Sequence, residues 1–170
     1  EEEKAENVAD GFENKVPFDT SAYYFIQNRA NNNFITLITN TVDTGALVYV
    51  LLANNTSAFS DDVRTMDFQL ENEGWISIYI NKSKLWLMTD DAGVLVQHID
   101  GMETKNDVFD LINYKDGYFQ ITQTNNDLVL GLQGLTDSAG EGQKIVMMKN
   151  DNSPQTQWKL IPTGETKRVP

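Results

Sequence analysis

The segment Gln155-Thr156-Gln157-Trp158-Lys159-Leu160-Ile161 carries the pattern that organises the rest of this chain. Its core is an aromatic residue followed two positions later by Leu, and it recurs as Phe68-Gln69-Leu70, Phe109-Asp110-Leu111 and Trp158-Lys159-Leu160. The three aromatics lie 41 and 49 residues apart (109 − 68 and 158 − 109). Residues two apart face the same side of a strand, and recurrence at this period is typical of a repeat architecture. We therefore predict three units, each closed by one triplet.

Short β-rich runs precede each triplet, and no 3.6-residue apolar stripe extends beyond two turns, so an all-β domain is predicted. In each unit a small residue precedes an aromatic, and Ile follows three positions later: Ala22 to Ile26, Gly74 to Ile78 and Gly117 to Ile121. Polar turns then lead to return strands that begin at Phe34, Leu85 and Leu128. Third runs follow at Leu47–Val50, Val94–Val96 and Ile145–Met148. Four strands per unit give twelve, in units of about 22–72, 74–113 and 117–162.

Composition favours one self-sufficient domain. A chain of 170 residues can remove roughly 70% of its unfolded surface from water. Its formal charge of −12 makes nucleic acid and anionic membranes poor partners, and no apolar run is long enough to insert into a membrane. The absence of cysteine excludes disulfides and thiolate metal sites. We expect no cofactor, and neutral ligands fit the charge best.

The two ends of the chain differ from the middle. Residues 1–21 are rich in acidic side chains and poor in large apolar ones, which predicts a flexible acidic tail. A single amphipathic turn through Val8, Phe12 and Val16 is an open alternative. The predicted β domain spans 22–163, and 164–170 is predicted to be a C-terminal tail.

Three four-stranded units that end in aromatic-x-Leu resemble a β-trefoil, and Gln155 to Leu160 is similar to the Gln-x-Trp signature of ricin-type lectin domains. The resemblance covers about residues 22 to 162. It implies a pseudo-threefold fold in which each unit can bind one sugar. In that family an Asp on the second strand, an aromatic after the third strand and Asn-Gln before the closing Trp form the site.

This sequence departs from that site in every unit. The Asp position falls on Gly131 in the third unit and near Met88 and Ile38 in the others. The Asn position is Thr65, Asn106 and Gln155 in turn, and the Gln position is Met66, Asp107 and Thr156. The resemblance therefore implies the scaffold more strongly than the site.

The third unit is predicted to bind sugar, because only its closer combines a Trp with neighbouring amides. Asp151 is expected to replace the missing Asp, and Gly131 is expected to leave room for a sugar ring to approach the backbone. The second unit is the next candidate. The predicted ligand-binding residues are Asn150, Asp151, Asn152, Gln155 and Gln157 in the third unit, and Asn106 and Asp107 in the second. These residue types also shape turns and bond their own backbone, which is the alternative for each.

Aromatic residues that recur in every unit are expected to form the core, namely Tyr23, Trp75, Tyr118, Phe68, Phe109 and Trp158. Trp86 alternates with Leu85 and Leu87, so it is predicted to face away from them. It is either a ligand platform or a covered rim residue.

Catalytic residues are scarce. His98 is the lone histidine and lies in a β-run, and the adjacent pairs Asp61-Asp62 and Asp90-Asp91 point apart rather than across a cleft. Asp90, Asp91, Asp107, Asp151 and Asn152 lack the spacing of a calcium loop, so no metal site is predicted. The sequence predicts a protein that is not an enzyme.

Two functions follow as expectations. The first is a non-catalytic, lectin-like module that binds glycans or glycoproteins and is secreted or displayed at a cell surface. The alternative is a β-trefoil scaffold that binds or inhibits a partner protein through the loop 53–65, which carries Phe59 on a polar background.

Overall fold

A computed structural model describes residues 21–37, 50–53, 64–70, 75–81, 84–98, 108–123, 127–132 and 144–166. In this part of the chain the structure is all-β, apart from one short 3-10 turn at Pro154–Thr156. Among the described residues, no helix could cross a bilayer. The strands are β1 Ala22–Asn28, β2 Phe34–Leu37, β3 Val50–Ala53, β4 Met66–Leu70, β5 Ile76–Ile80, β6 Trp86–Thr89, β7 Leu95–His98, β8 Phe109–Asn113, β9 Phe119–Gln123, β10 Leu128–Leu132, β11 Ile145–Lys149 and β12 Trp158–Thr166.

Six of these strands close into a barrel. β1 pairs with β4 and β12, β5 pairs with β4 and β8, and β9 pairs with β8 and β12, all antiparallel. Each barrel strand therefore has a neighbour on both sides, which removes the free edges at which sheets aggregate. β12 extends to Thr166, opposite Ala22, so regular structure continues three residues past the predicted boundary at 163.

The other six strands form three hairpins, β2–β3, β6–β7 and β10–β11. Each hairpin joins the barrel through a pair of residues seven positions apart: Gln27 with Phe34, Tyr79 with Trp86 and Thr122 with Val129. The first of these turns is therefore as long as the other two. The predicted run 47–49 lies outside the described residues, and the part of the third strand that the structure describes continues to Ala53.

Strand alternation decides which residues form the core. Phe68, Phe109 and Trp158 are buried, as the sequence predicted, and Ile26, Ile78 and Ile121 are buried with them. The expectation was wrong for Tyr23, Trp75 and Tyr118, which are only partly buried. Residues three apart on a strand point to opposite faces. Each of these three aromatics therefore cannot share the core with the Ile that follows it three positions later. The inward positions belong to Tyr24, Ile76 and Phe119.

The closing strands β4 and β12 look alike in sequence but differ in register. Trp158 lies opposite Phe119, and Phe109 lies opposite Ile76, whereas the corresponding partner of Tyr24 is Met66. Leu160 faces Ile26 and Leu111 faces Ile121, whereas Phe68 faces Ile78. The Thr65 carbonyl accepts a hydrogen bond from Asn81, as the Gln157 carbonyl does from Arg29. Met66-Asp67-Phe68 thus takes the place expected for Phe68-Gln69-Leu70.

Trp86 lies outside the core, on β6. Its ring packs on the ring of Tyr79 with 3.7 Å between the centroids and a 44° tilt, and the indole is partly buried. The stacking covers part of the Trp86 ring, so less of the ring is available for the alternative role of a ligand platform.

Candidate functional site

The loop between β11 and β12 holds all the predicted third-unit site residues, and Gln157 fixes its shape. The Gln157 side chain is buried, and its amide nitrogen donates to the carbonyls of Asn152 at 3.0 Å and Ser153 at 3.3 Å. Its amide oxygen accepts a 2.7 Å hydrogen bond from Arg29. Both ends of the amide are used within the protein, so Gln157 positions the loop rather than presenting an open group to a ligand.

Residues at the end of β1 hold the same loop from the other side. The buried Asn28 donates from its side-chain nitrogen to the Gln155 carbonyl at 2.9 Å, and its oxygen accepts from the Ala30 amide at 2.8 Å. Arg29 lies over the ring of Tyr118, 4.4 Å from its centroid, and forms a 3.7 Å ion pair with Asp116. Sequence reasoning missed Asn28 and Arg29, because they are more than 120 residues from the loop that they support.

Asn150 is tied to the barrel by an amide pair that the sequence did not reveal. Gln120 on β9 donates to the Asn150 side-chain oxygen at 2.9 Å and accepts from its nitrogen at 3.2 Å. The Asn150 oxygen also accepts from the backbone amide of Asn152 at 2.9 Å, which supports the left-handed conformation of Asn152 (φ 58°). Alternation along β9 could have suggested Gln120, since it follows the buried Phe119 and faces outward.

Three of the predicted residues keep open polar groups. Asp151 and Asn152 are exposed, and Gln155 is partly buried. One Asp151 oxygen accepts from the Ser153 amide at 3.0 Å. The Asp151 carboxylate also accepts from the Ser153 side chain, and the side-chain amides of Asn152 and Gln155 make no hydrogen bond to any described residue. Carboxylate and amide groups in this state can pair with the hydroxyls of a ligand.

Asp151 is an acceptor over a wide pH range. Hydrogen bonds from the Ser153 side chain and backbone lower the pKa of the Asp151 carboxyl below its ordinary value, because both bonds favour the charged form. The carboxylate is fully exposed, so water screens its charge.

Gly131 does not provide the space that the sequence suggested. A Cβ atom placed there would lie 2.6 Å from the Met148 sulfur and 3.1 Å from the Thr156 methyl carbon. The side of Gly131 that lacks a side chain is therefore filled, and the expectation that a sugar ring approaches the backbone there was wrong. Met148 fills the space into which a side chain at position 131 would project, and it gives the loop a partly exposed apolar surface.

The remaining predicted positions are not all described. Asn106 and Asp107 of the second unit lie outside the described residues, as do Phe59 and residues 54–63 of the loop proposed for a protein partner. Within the described part of the chain, no group of three or more His, Cys, Asp or Glu side chains is arranged to hold a metal ion.

Comparison with solved structures identifies the fold. The chain matches a designed threefold-symmetric protein, ThreeFoil, with a TM-score of 0.71 at 16% identity, covering 84% of this chain and 99% of the other. A ricin B-like lectin of Macrolepiota procera in complex with lactose matches with a TM-score of 0.64 at 16% identity, covering 86% and 99%. The C-half of an earthworm R-type lectin in complex with GalNAc matches with a TM-score of 0.62 at 10% identity, covering 83% and 98%. This chain has the fold of ricin-type β-trefoil lectins, as its sequence predicted.

No family model and no curated protein matches the chain by sequence, so the fold assignment rests on the structural matches. Chains of an exo-β-1,3-galactanase and of a mosquitocidal holotoxin have the same fold over 30% and 18% of their lengths. The fold alone therefore does not separate lectins from parts of enzymes or toxins.

Proposed function

We propose that this chain is a non-catalytic carbohydrate-binding module that recognises glycans or glycoproteins outside the cell, either secreted or at a cell surface. One observation carries the proposal: a ricin-type lectin fold presents open carboxylate and amide groups on a loop that is fixed by buried hydrogen bonds. Two matched lectins are seen with GalNAc and lactose, which supports a glycan as the ligand class.

The ligand contacts divide the predicted residues into two roles. Asp151, Asn152 and Gln155 pair with sugar hydroxyls, because the Asp151 carboxylate is exposed and the side-chain amides of Asn152 and Gln155 have no partner among the described residues. Asn150 and Gln157 position the loop, since their side chains are bonded to Gln120, Arg29 and the loop backbone. Sugar sites commonly place an aromatic ring against the C–H face of the sugar, but residues 148–157 contain no aromatic side chain. The exposed part of Met148 provides this apolar contact instead.

The loop between β11 and β12 is proposed to bind its ligand without catalysing a reaction. Glycoside hydrolysis needs two carboxyl groups facing each other roughly 5 to 9.5 Å apart. Asp151 is the lone carboxylate in the sequence from Met148 to Trp158. A single exposed acid with a lowered pKa is a hydroxyl acceptor rather than a proton donor.

We also infer that the barrel and hairpins form three four-stranded units related by pseudo-threefold symmetry. The seven-residue offset at each hairpin supports this, as do the matching backbone hydrogen bonds that Asn81 donates to Thr65 and Arg29 donates to Gln157. An experimental structure that superposes Ile26, Ile78 and Ile121 after rotation about one axis tests it.

The binding proposal is tested by a glycan array followed by titration of the best oligosaccharide, with lactose and GalNAc as first monovalent probes. The double variant Asp151→Ala/Gln155→Ala should weaken binding by about 1 to 3 kcal/mol without lowering the melting temperature. Asp127→Ala, an exposed acid on another turn, is the matched control and should bind as the parent does. Absence of binding across the array, or equal loss in the control, contradicts the proposal.

The pH profile gives a second readout. Acceptance by Asp151 needs its charged form, and its pKa is lowered, so affinity should stay constant from pH 7 to about 5 and fall only below the ordinary Asp value of about 3.9. A fall in affinity between pH 7 and 5 would mean that another group accepts the hydroxyls.

A further inference from the structure

A second candidate site lies where two hairpins meet, away from the third-unit loop. A cavity of about 290 Å³ opens between the β6–β7 turn and strands β9, β10 and β11. This is near the lower end of ligand pockets, roughly 300 to 1,000 Å³, so it suits one small molecule or one long side chain. Its walls are Thr89, Asp90, Asp91, Ala92, Gly93, Gln123, Leu128 and Met147.

Hydrogen bonds between the two hairpins hold the cavity open. The Met147 amide donates to the Gly93 carbonyl at 2.8 Å, and Val94 forms a β-bridge with Val146. Thr89 donates from its hydroxyl to the side-chain oxygen of the buried Gln123 at 3.1 Å. The walls on both sides are therefore fastened to each other before any ligand arrives, so the ordering cost on binding is small.

The hydrogen-bond donors of the turn are already used. The amides of Ala92 and Val94 both donate to one Asp90 side-chain oxygen at 2.9 Å, and the Gly93 amide donates to the Asp90 carbonyl at 2.9 Å. Together with the bonds made by Thr89 and Met147, this leaves the walls poor in open donors. A ligand that needs to accept several hydrogen bonds finds few partners here.

Acceptors, in contrast, remain open. The second side-chain oxygen of Asp90 and the carboxylate of Asp91 make no hydrogen bond to any described residue. Among the described residues that line the cavity none is basic, and the chain as a whole carries a formal charge of −12. The potential in the cavity is negative, which favours a cation that donates hydrogen bonds.

We propose that this cavity binds a primary ammonium group on a short carbon stem, as in a lysine side chain or an amino sugar. An ammonium group has three donors and no acceptor, which matches walls with open acceptors and spent donors. The methylene or ring carbons of the stem pack against Leu128 and Met147, as lysine stems commonly do on apolar surface. Divalent calcium is a poorer match, since it takes six to eight oxygen ligands.

Paired probes in low-salt buffer distinguish the two sources of the ammonium group. Binding is monitored by the NMR chemical shifts of the backbone amides of residues 84–98 and 144–149. The amine probes are Nα-acetyl-lysine amide and glucosamine, and their neutral counterparts are Nα,Nε-diacetyl-lysine amide and N-acetylglucosamine. Binding of either amine, weakened at least about tenfold by acetylation and reduced by added salt, supports the proposal. Equal binding of an amine and its acetylated form overturns it.

Variants locate the site. Asp90→Asn/Asp91→Asn removes both charges while Asn keeps the ability to accept the turn's backbone hydrogen bonds, and it should weaken amine binding roughly tenfold. Glu165→Gln, near the end of β12 and not among the residues that line the cavity, removes one charge and should bind as the parent does. Unchanged amine binding by the Asp90/Asp91 variant overturns the proposal, and so does tight calcium binding at these residues without any response to amines. Since Asp151 and Gln155 are untouched, failure here is separable from failure of sugar binding in the third-unit loop.

Discussion

The closing strands β4 and β12 share an aromatic-x-Leu sequence, yet they fill the barrel differently. In β12, Trp158 is fully buried and Leu160 packs against the core. In β4, Phe68 is fully buried but Leu70 is 49% exposed. The reason is that the pairing of β4 is shifted by two residues relative to that of β12, so Met66 takes the position that corresponds to Trp158. Similar sequence patterns within one chain can therefore occupy different places when strand pairing sets the register.

The contrast has a packing reason. The Trp158 indole nitrogen donates to the Leu130 carbonyl at 2.9 Å, which links the closing strand to the hairpin strand β10. Met66 is unbranched and flexible, so it can fill an irregular space at the same level of the barrel without a polar partner. Phe68 then takes the layer occupied elsewhere by Leu111 and Leu160.

The largest expected effect is at Trp158. Trp158→Ala should lower the free energy of unfolding by about 3 to 5 kcal/mol, since it empties the core and leaves the Leu130 carbonyl without its donor. Met66→Ala, at the corresponding position of β4, should cost less, near the lower end of about 2 to 5 kcal/mol. Denaturant unfolding measures both. An equal or larger loss at Met66 would mean that the indole contributes no more than the thioether.

The two leucines of the sequence pattern sharpen the register difference. Leu111→Ala should cost about 2 to 5 kcal/mol because Leu111 is fully buried, whereas Leu70→Ala should change stability by less than about 0.5 kcal/mol because Leu70 is half exposed. The control is Phe68→Leu, which should be tolerated better than Phe68→Ala. Similar losses at Leu70 and Leu111 would contradict the pairing of Phe68 with Ile78.

The residues that precede the two closing strands also differ. Gln157 precedes β12, whereas Thr65 precedes β4. Gln157→Leu should destabilise the protein by about 1 to 3 kcal/mol, because the carbonyls of Asn152 and Ser153 and the Arg29 guanidinium lose their partner. It should also weaken sugar binding indirectly by releasing Asp151. Thermal unfolding with and without the best glycan separates these effects, and Gln157→Glu, which retains an acceptor for Arg29, is the matched control. Full stability in the Leu variant would rule out the positioning role.

A smaller effect than at Trp158, Leu111 or Gln157 is expected at Gly131. Gly131→Ala should cost about 1 kcal/mol, because its Cβ would meet the Met148 sulfur at 2.6 Å and the sulfur belongs to a flexible side chain that can move. In the background Met148→Ala the cost should shrink, which a double-mutant cycle would measure as coupling. Additive costs would show that the two residues do not compete for the same space.

Much of the candidate site was visible in the sequence, and its arrangement was not. The cluster from Asn150 to Gln157 stood out because amides and an acid adjoin a closing Trp. Which of these side chains stay open depended on Asn28, Arg29 and Gln120, which reach the loop from distant strands. The expected space at Gly131 disappeared for the same reason, since Met148 from the neighbouring strand fills it.

The sequence by itself determined the all-β class and the burial of Phe68, Phe109 and Trp158, because strand alternation is a local property with a period of two. Only the tertiary structure decided that β4 pairs two residues along, that Tyr23, Trp75 and Tyr118 face outward, and that a cavity rich in acceptors opens between two hairpins. These features depend on which side chains fit together across strands. Register follows from that packing, and no single stretch of sequence contains both partners.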